Sequence, residues 1–241
     1  MNDRVGFHGG SFRTTQWSVV LRAGEDDSES RQALESLCRT YWPPVYSYVR
    51  RRGYDHDAAL DLTQGFFAQF LEKNYLRAAD RQRGKFRSFL LTSVKNYLAN
   101  EWDKGQAQKR GTGQAVFSLD EQNSSDRYPI EPVDDMTPEK NFERTWALTL
   151  LEQVLSRLQA EMLAGKSDKY FEQLKTCLMG ENLNDSYKSI AQTLGVTETA
   201  LKTRIHRMRR RFGELLYDEV QQTLDDPAYA EDEIRYLLTI L

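Results

Sequence analysis

Hydrophobic residues recur at steps of three and four along most of the chain, which is the pattern of amphipathic helices. One such stripe contains Phe86, Phe89, Leu90, Val94, Tyr97 and Leu98, and a second contains Trp146, Leu150, Leu151, Val154, Leu155 and Leu158. Leucine, alanine, glutamate, glutamine, lysine and arginine dominate both segments, and runs of β-branched residues are few. These are good helix formers, so we predict an all-α fold.

Residues that favour helix termini divide these stripes into separate helices. Ser28, Asp55 or Asp57, and Thr137 are predicted N-caps, since their side chains can accept from the first backbone N–H groups. Pro43 or Pro44 suits the first turn of a helix that we expect to end near Gly53.

The segment 111–138 has a different composition, with two glycines, three prolines and many acidic or small polar residues. Such a composition is typical of a linker or an irregular loop. We therefore predict two helical domains joined by an acidic linker, the C-terminal one containing a helix-turn-helix. The predicted boundaries are 1–110 for the first domain, 111–138 for the linker, 139–213 for the second domain and 214–241 for an acidic helical extension.

Charge is unevenly distributed, although the formal net charge is only −3. Residues 77–110 hold nine Lys or Arg against three Asp or Glu, and residues 187–212 hold seven against one. Acidic blocks at 118–143 and 213–241 offset this positive charge in the total. Two separate basic blocks indicate two contacts with a polyanion. The alternative is that each block is a solvated helix face.

The second basic block, YKSIAQTLGVTETALKTRIHRMRRRF, has the pattern of a helix, a short turn and a second helix. Gly195 is placed where a helix would stop. Thr197 is the predicted N-cap of the next helix, and Val196 with Leu201 fits a hydrophobic staple. The buried stripe of that helix is predicted to be Leu201, Ile205, Met208 and Phe212. This order is the DNA-binding helix-turn-helix arrangement.

The exposed side chains of the second helix suit duplex DNA, because its N-terminal half would meet base edges in the major groove. Lys202 can donate to guanine, and Thr203 can contact several bases. Arginines further along suit phosphate oxygens. The candidate DNA contacts are Thr199, Lys202, Thr203, Arg204, His206, Arg207, Arg210 and Arg211. The alternative is a core helix hairpin whose arginines only reach solvent.

Several functional classes find no support in the sequence. No run of 18 apolar residues exists, so we expect no membrane span, and the N-terminus lacks the apolar stretch of a secretory signal. The two cysteines and three histidines show no zinc-ligand spacing. No hydrolase or nucleotide-binding motif occurs. We predict a cytoplasmic protein that is not an enzyme and has no catalytic residue, metal or cofactor, with Cys38 and Cys177 as reduced core thiols.

The order of motifs resembles a sigma factor of bacterial RNA polymerase, of the extracytoplasmic-function group and its planctomycete-like branch. The motifs are DLTQGFFAQFLEK at 61–73, RGKFRSFLLTSVKNYLANEWDKGQAQKRG at 83–111, the acidic linker and the helix-turn-helix pattern. The resemblance implies a protein that binds core RNA polymerase and directs promoter recognition and transcription initiation. Its implied partners are the polymerase core, promoter DNA and, as a further candidate, an anti-sigma factor.

The resemblance also implies roles for individual residues. In the family, the helix matching 61–73 docks on the polymerase clamp, which assigns polymerase contacts to Asp61, Gln64, Phe67 and Gln69. Gly65 departs from the acidic residue that the family often has there. The segment 83–111 resembles the promoter-melting region of the family. Its candidate DNA contacts are Arg83, Lys85, Arg87, Lys95, Asn96, Asn100 and Trp102. Tyr97 is expected in the core instead.

Two other functions remain open. A free-standing helix-turn-helix regulator would bind duplex DNA without polymerase, and would leave the basic block 77–110 unused. An adaptor would bind polymerase or an anti-sigma factor without reading promoters, and would be expected to lose the arginines of 204–211. The acidic tail after residue 213 either restrains the DNA-binding domain or completes its core.

Overall fold

The structure, a computed structural model, describes residues 28–71, 85–112, 136–164, 171–175, 177–178, 184–224 and 226–241, and most of these residues are helical. The α-helices are α1 (Ser28–Arg51), α2 (His56–Leu71), α3 (Phe86–Thr112), α4 (Pro138–Ala164), α5 (Phe171–Lys175), α6 (Asn184–Leu194), α7 (Glu198–Gln222) and α8 (Ala230–Ile240). A short 3-10 helix, Pro227–Tyr229, precedes α8. No strand occurs in these ranges, which agrees with the predicted all-α class.

Backbone contacts divide the described residues into two compact units. The N-terminal unit extends to Trp146, and the C-terminal unit runs from Ala147 to Thr239. Helix α4 passes through this division without a break, and α7 continues past residue 213 to Gln222. Residues 113–135 of the predicted linker lie outside the described ranges. The four predicted segment boundaries therefore stay predictions.

Helix α1 corrects one expectation from the sequence. We predicted that a new helix begins at Pro43 or Pro44, yet both prolines lie inside one continuous helix. A proline in a helix interior removes a backbone hydrogen bond and crowds the preceding turn. Burial on either side of the pair offsets this cost, because Tyr41 and Val45 are fully buried. The predicted end is confirmed, since α1 stops just before Gly53, which has a φ of +93°.

Two predicted N-caps are confirmed in the N-terminal unit. Asp55 accepts a hydrogen bond through Oδ1 from the backbone N–H of Ala58 at 2.8 Å. Thr137 accepts one through Oγ1 from Lys140 at 3.2 Å, and Pro138 takes the first helical position of α4. These bonds satisfy N–H groups that the helix itself leaves without a partner.

The core of the N-terminal unit is a cluster of aromatic rings between α1, α2 and α3. Phe66 lies near the centre, with ring centroids 5.4 Å from Phe70 and 5.7 Å from Tyr97. Tyr41 meets Phe86 edge-to-face at 5.2 Å. Edge-to-face and tilted pairs suit the ring quadrupoles. The apolar stripe of α3 that the sequence predicted thus faces this cluster, and Tyr97 is buried as expected.

Gly65 lets α2 and α3 approach closely within this cluster. A Cβ atom at residue 65 would collide with the hydroxyl oxygen of Tyr97. The glycine at residue 65 therefore has a packing reason in this chain.

The C-terminal unit buries side chains from α4, α5, α7 and α8. Its fully or nearly fully buried residues include Leu150, Val154, Phe171, Leu201, Leu215, Val220 and Leu237. Helix α8 contributes Ala230, Glu233 and Leu237 to the buried set. The tail after residue 213 is thus part of the folded core, which was one of the two alternatives left open. No helix in the described part of the chain is long and apolar enough to cross a membrane.

Candidate functional site

A tight turn joins α6 to α7 in the second basic block. Gly195 has a φ of +63°, in the left-handed region that glycine adopts without a steric cost. Its N–H donates to the carbonyl of Gln192 at 3.1 Å, and the N–H of Val196 donates to the carbonyl of Ala191 at 3.0 Å. This pair of bonds is the Schellman arrangement that ends helices. The turn residue predicted from the sequence is confirmed.

Thr197 then begins α7 as its N-cap. Its Oγ1 accepts from the N–H of Ala200 at 3.2 Å, and its backbone is extended, with φ −72° and ψ 151°. Val196 is half-buried and Leu201 is fully buried, as a hydrophobic staple requires. Only three residues, 195–197, separate the two helices, so the direction of α7 is tightly constrained.

Helix α7 has an inner side and an outer side. The inner residues Leu201, Ile205 and Met208 are buried as predicted, whereas Phe212 is only half-buried. Of the candidate DNA contacts, all but Arg211 are exposed: Thr199, Lys202, Thr203, Arg204, His206, Arg207 and Arg210. Thr199, Thr203, His206 and Arg210 follow one another at steps of four, three and four, so they share one face.

Lys202 is held by partners from both helices. Its Nζ lies 2.7 Å from Oε1 of Glu198 and 5.8 Å from the centre of the Tyr187 ring on α6. The hydrogen bond from Lys202 holds the pKa of the Glu198 carboxyl below its usual value. The ammonium group therefore has an acidic and an aromatic neighbour at the surface.

The arginines near the middle of α7 serve a different purpose. Arg211 makes a two-point ion pair with Glu161 of α4, at 2.7 and 2.9 Å, and also contacts Glu214 at 3.0 Å. Arg209 donates to the carbonyl of Cys177 at 2.6 and 3.1 Å. Bidentate arginine pairs are the stronger, more directional kind. These two arginines therefore connect α7 to the rest of the C-terminal unit.

Carboxylate pKa values follow from these contacts. The hydrogen bond from Arg211 lowers the pKa of Glu161, and hydrogen bonds from Arg211 and Arg210 lower that of Glu214. Arg210 lies 3.1 Å from Glu214 but remains largely exposed. By contrast, Arg207 is exposed and forms no ion pair with any described residue.

Most of the described part of the first basic block lies on α3, whose outer side carries four of its candidate DNA contacts. Lys95, Asn96, Asn100 and Trp102 are all exposed. Trp102 is 47% exposed, which is unusual for so large an aromatic side chain. Lys95 is partly engaged, because its Nζ lies 2.8 Å from Glu139 of α4. Arg83 lies outside the described residues.

Arg87 does not belong to that outer side. Its side chain is only 3% exposed, and its guanidinium lies 4.6 Å from the centre of the buried Trp146 ring. Glu143 is 3.8 Å from its Nε. Lys85 is half-buried nearby, and burial with the charge of Arg87 lowers its pKa. We therefore exclude Arg87 from the candidate DNA-binding surface, since its charge is used inside the unit.

The four candidate polymerase contacts on α2 also divide into exposed and buried side chains. Asp61 and Gln64 are exposed and Gln69 is half-buried. Phe67 is buried and stacks on Trp42, with ring centroids 5.4 Å apart. Phe67 therefore belongs to the core, and a surface contact through it is not available in this structure. Asp61 and Gln64 remain available one helical turn apart.

Sequence reasoning missed the partners of the basic side chains. The pairing of Glu198 with Lys202 was visible as an i, i+4 spacing on one helix. The contacts of Tyr187 and Glu161 required the packing of separate helices, which no local spacing reveals. Cys177 is a free thiol in the core as predicted, whereas the free thiol of Cys38 is only half-buried. Partial burial raises the pKa of Cys38 to about 11.

Metal ligation finds no support within the described ranges, where no cluster of histidine, cysteine or acidic side chains could hold an ion. Comparisons with protein-family models, with curated proteins and with solved structures found no match.

Proposed function

We propose that this protein is a sigma factor that binds core RNA polymerase and directs promoter recognition through two basic surfaces. On this proposal, α6, the turn at Gly195 and α7 form a helix-turn-helix that reads an upstream promoter element. The outer side of α3 contacts the melted strand, and the exposed part of α2 contacts the polymerase. The extracytoplasmic-function resemblance of the motif order supplies the assignment to transcription initiation.

The carrying observation is the division of α7 into an inner apolar side and an outer side with hydrogen-bonding and cationic groups. Thr199, Lys202 and Thr203 are exposed in the first two turns, where a recognition helix meets base edges. Thr203 donates its hydroxyl to the carbonyl of Thr199 at 3.0 Å. With its hydroxyl hydrogen used in this bond, Thr203 would offer its methyl group and its hydroxyl oxygen, as an acceptor, to the bases. Arg207 would contact phosphate.

A second observation favours the melting role for α3. Trp102 and Lys95 lie seven residues apart, which places them on the same side of the helix. An exposed aromatic ring and a cation along one side of a helix suit single-stranded bases, since the ring replaces lost stacking and the cation attracts the backbone. A free-standing helix-turn-helix regulator would have no use for this surface.

Run-off transcription with core RNA polymerase from the source organism, on promoters from its genomic DNA, tests the proposal. We expect specific initiation with the wild-type chain and its loss in the double variant Lys202→Ala with Arg207→Ala. The matched control is Arg39→Ala with Arg235→Ala. Arg39 and Arg235 are 74% and 72% exposed and lie on neither α6 nor α7, so their removal leaves the proposed helix-turn-helix intact.

Binding to core RNA polymerase distinguishes a sigma factor from a free-standing regulator. In a co-elution assay, the sigma-factor proposal predicts a stable complex with core polymerase that weakens in Asp61→Ala with Gln64→Ala. The control variant Glu35→Ala removes an exposed acidic side chain from α1. If the chain binds duplex DNA but never associates with core, the free-standing regulator is the correct function.

A further inference from the structure

Glu198 is a negative charge on a surface that is otherwise prepared for DNA. It lies at the first position of α7, is 48% exposed, and belongs to the same outer region as Lys202. Phosphate would repel this carboxylate, so it weakens any binding that depends on charge alone. A carboxylate at this position contributes to DNA binding only if it meets a hydrogen-bond donor on the DNA. In the major groove such donors are base amino groups, above all N4 of cytosine.

The Glu198–Lys202 pair offers both halves of a base-pair contact side by side. Its carboxylate oxygen accepts, and its ammonium group, 2.7 Å away, donates. A G·C pair presents the complementary set, with the cytosine amino group next to the acceptors O6 and N7 of guanine. We propose that Glu198 and Lys202 act together as one reading unit for a G·C pair, with Glu198 as a specificity-determining residue.

Tyr187 supports this unit from the other helix. Its ring centre lies 5.8 Å from Lys202 Nζ, within the range of a cation–π contact. Lys188, beside it on α6, also acts on Glu198, since its charge helps to lower the pKa of that carboxyl. The lysine thus has contacts with both Tyr187 and Glu198. Tyr187 is a positioning residue, because it orients Lys202 and does not itself meet the base pair.

This inference rests on the proposed function and adds a base preference to it. Glu198 has a simpler role available, since an acidic residue in the first turn suits the helix dipole and an i, i+4 pair stabilises a helix. That role would leave base preference unchanged. Glu214 is the matched control because it also pairs with an arginine four residues away on the same helix, and it is 45% exposed.

Selection from a duplex library with a randomised upstream element, using the full chain bound to core polymerase, tests the inference. Wild type should enrich a motif with a required G·C pair. Glu198→Gln should lose preference at that single position by about tenfold, which is within the discrimination of one good bidentate contact. Tyr187→Leu should weaken the same preference by a smaller factor. Glu214→Gln should enrich the wild-type motif.

The outcomes distinguish a failure of this inference from a failure of the proposed sigma-factor function. If wild type enriches a motif and Glu198→Gln enriches the same motif with unchanged base preference, Glu198 only stabilises the helix and the inference is wrong. If wild type enriches no motif with core polymerase, the proposed function and the inference are both wrong.

Discussion

Arg211 and Glu161 form a two-point ion pair that joins α7 to α4, with Nε–Oε2 at 2.7 Å and Nη2–Oε1 at 2.9 Å. Both side chains are more than a third exposed, so solvent screens much of their attraction. We expect Glu161→Gln to lower the free energy of unfolding by about 0.5 to 1 kcal/mol, because the pair is bidentate but not buried. Urea unfolding at neutral pH measures this difference.

The same pair has a defined pH dependence. Because Arg211 lowers the pKa of Glu161 in the folded chain, the unfolded state binds the extra proton more readily. The contribution is complete above about pH 5 and is lost as the pH falls below the usual carboxyl range of about 4.3. The difference in melting temperature between wild type and Glu161→Gln should therefore shrink towards pH 3. A constant difference would contradict the assignment.

If the chain binds DNA as proposed, the salt dependence of that binding should distinguish Arg207 from Arg211. Arg207 forms no ion pair with a described residue, whereas Arg211 is bound to two carboxylates. Each phosphate contact contributes about 0.9 to the slope of log affinity against log salt. We expect Arg207→Ala to reduce the slope by about this amount and Arg211→Ala to change it by less than half as much. Fluorescence anisotropy with a labelled duplex measures both slopes, and equal reductions would refute the distinction.

Gly65→Ala should destabilise the N-terminal unit even though alanine is the better helix former. The added Cβ would collide with the Tyr97 hydroxyl, and overpacking of a filled core costs about 1 to 3 kcal/mol. Gly213→Ala is the matched control, since nothing lies within 4 Å of its added Cβ. There we expect a gain of about 0.5 to 1 kcal/mol. Chemical unfolding of both variants measures the two effects.

A second substitution isolates the cause of the Gly65 effect. In the background of Tyr97→Phe the colliding oxygen is gone, and the next ring atom lies 3.5 Å from the added Cβ. The cost of Gly65→Ala should then largely disappear. An undiminished cost in that background would show that the collision is not its source.

Arg87→Met should destabilise the N-terminal unit by about 2 kcal/mol, since the variant removes a desolvated cation–π contact with Trp146. It would also leave Glu143 without this cation. Lys95→Met is the control, because its pair with Glu139 is exposed on both sides and contributes about 0.5 kcal/mol or less. Arg87→Lys keeps the charge and should retain part of the stability. Thermal unfolding of the three variants ranks them, and equal effects at residues 87 and 95 would contradict the burial of Arg87.

The sequence predicted local features well, because their causes are local. Gly195, Thr197 and the pair Asp55 or Asp57, of which Asp55 is the cap, were identified from the chemistry of helix termini, where one side chain or one φ angle decides the outcome. The apolar stripes of α3 and α7 followed from helical spacing. These predictions required no knowledge of which helix packs on which.

Predictions failed where packing between helices decides the outcome. Arg87 and Phe67 were predicted to lie on functional surfaces, but both are buried. Arg87 packs on Trp146, and Phe67 stacks on Trp42. Pro43 and Pro44 favour the start of a helix, yet α1 continues through both, because burial of their neighbours offsets the cost of the prolines. Charge or residue type alone could not distinguish these positions from Lys95 or Asp61.

The separation of α7 into two sides has a consequence for protein engineering. Leu201, Ile205 and Met208 face the core, while Thr199 and Thr203 have exposed side chains on the other side. On the proposed function, a combinatorial library at residues 199, 203 and 206 would therefore alter base preference while leaving the packed residues untouched. This helix could accumulate new specificities by mutation without passing through unfolded intermediates.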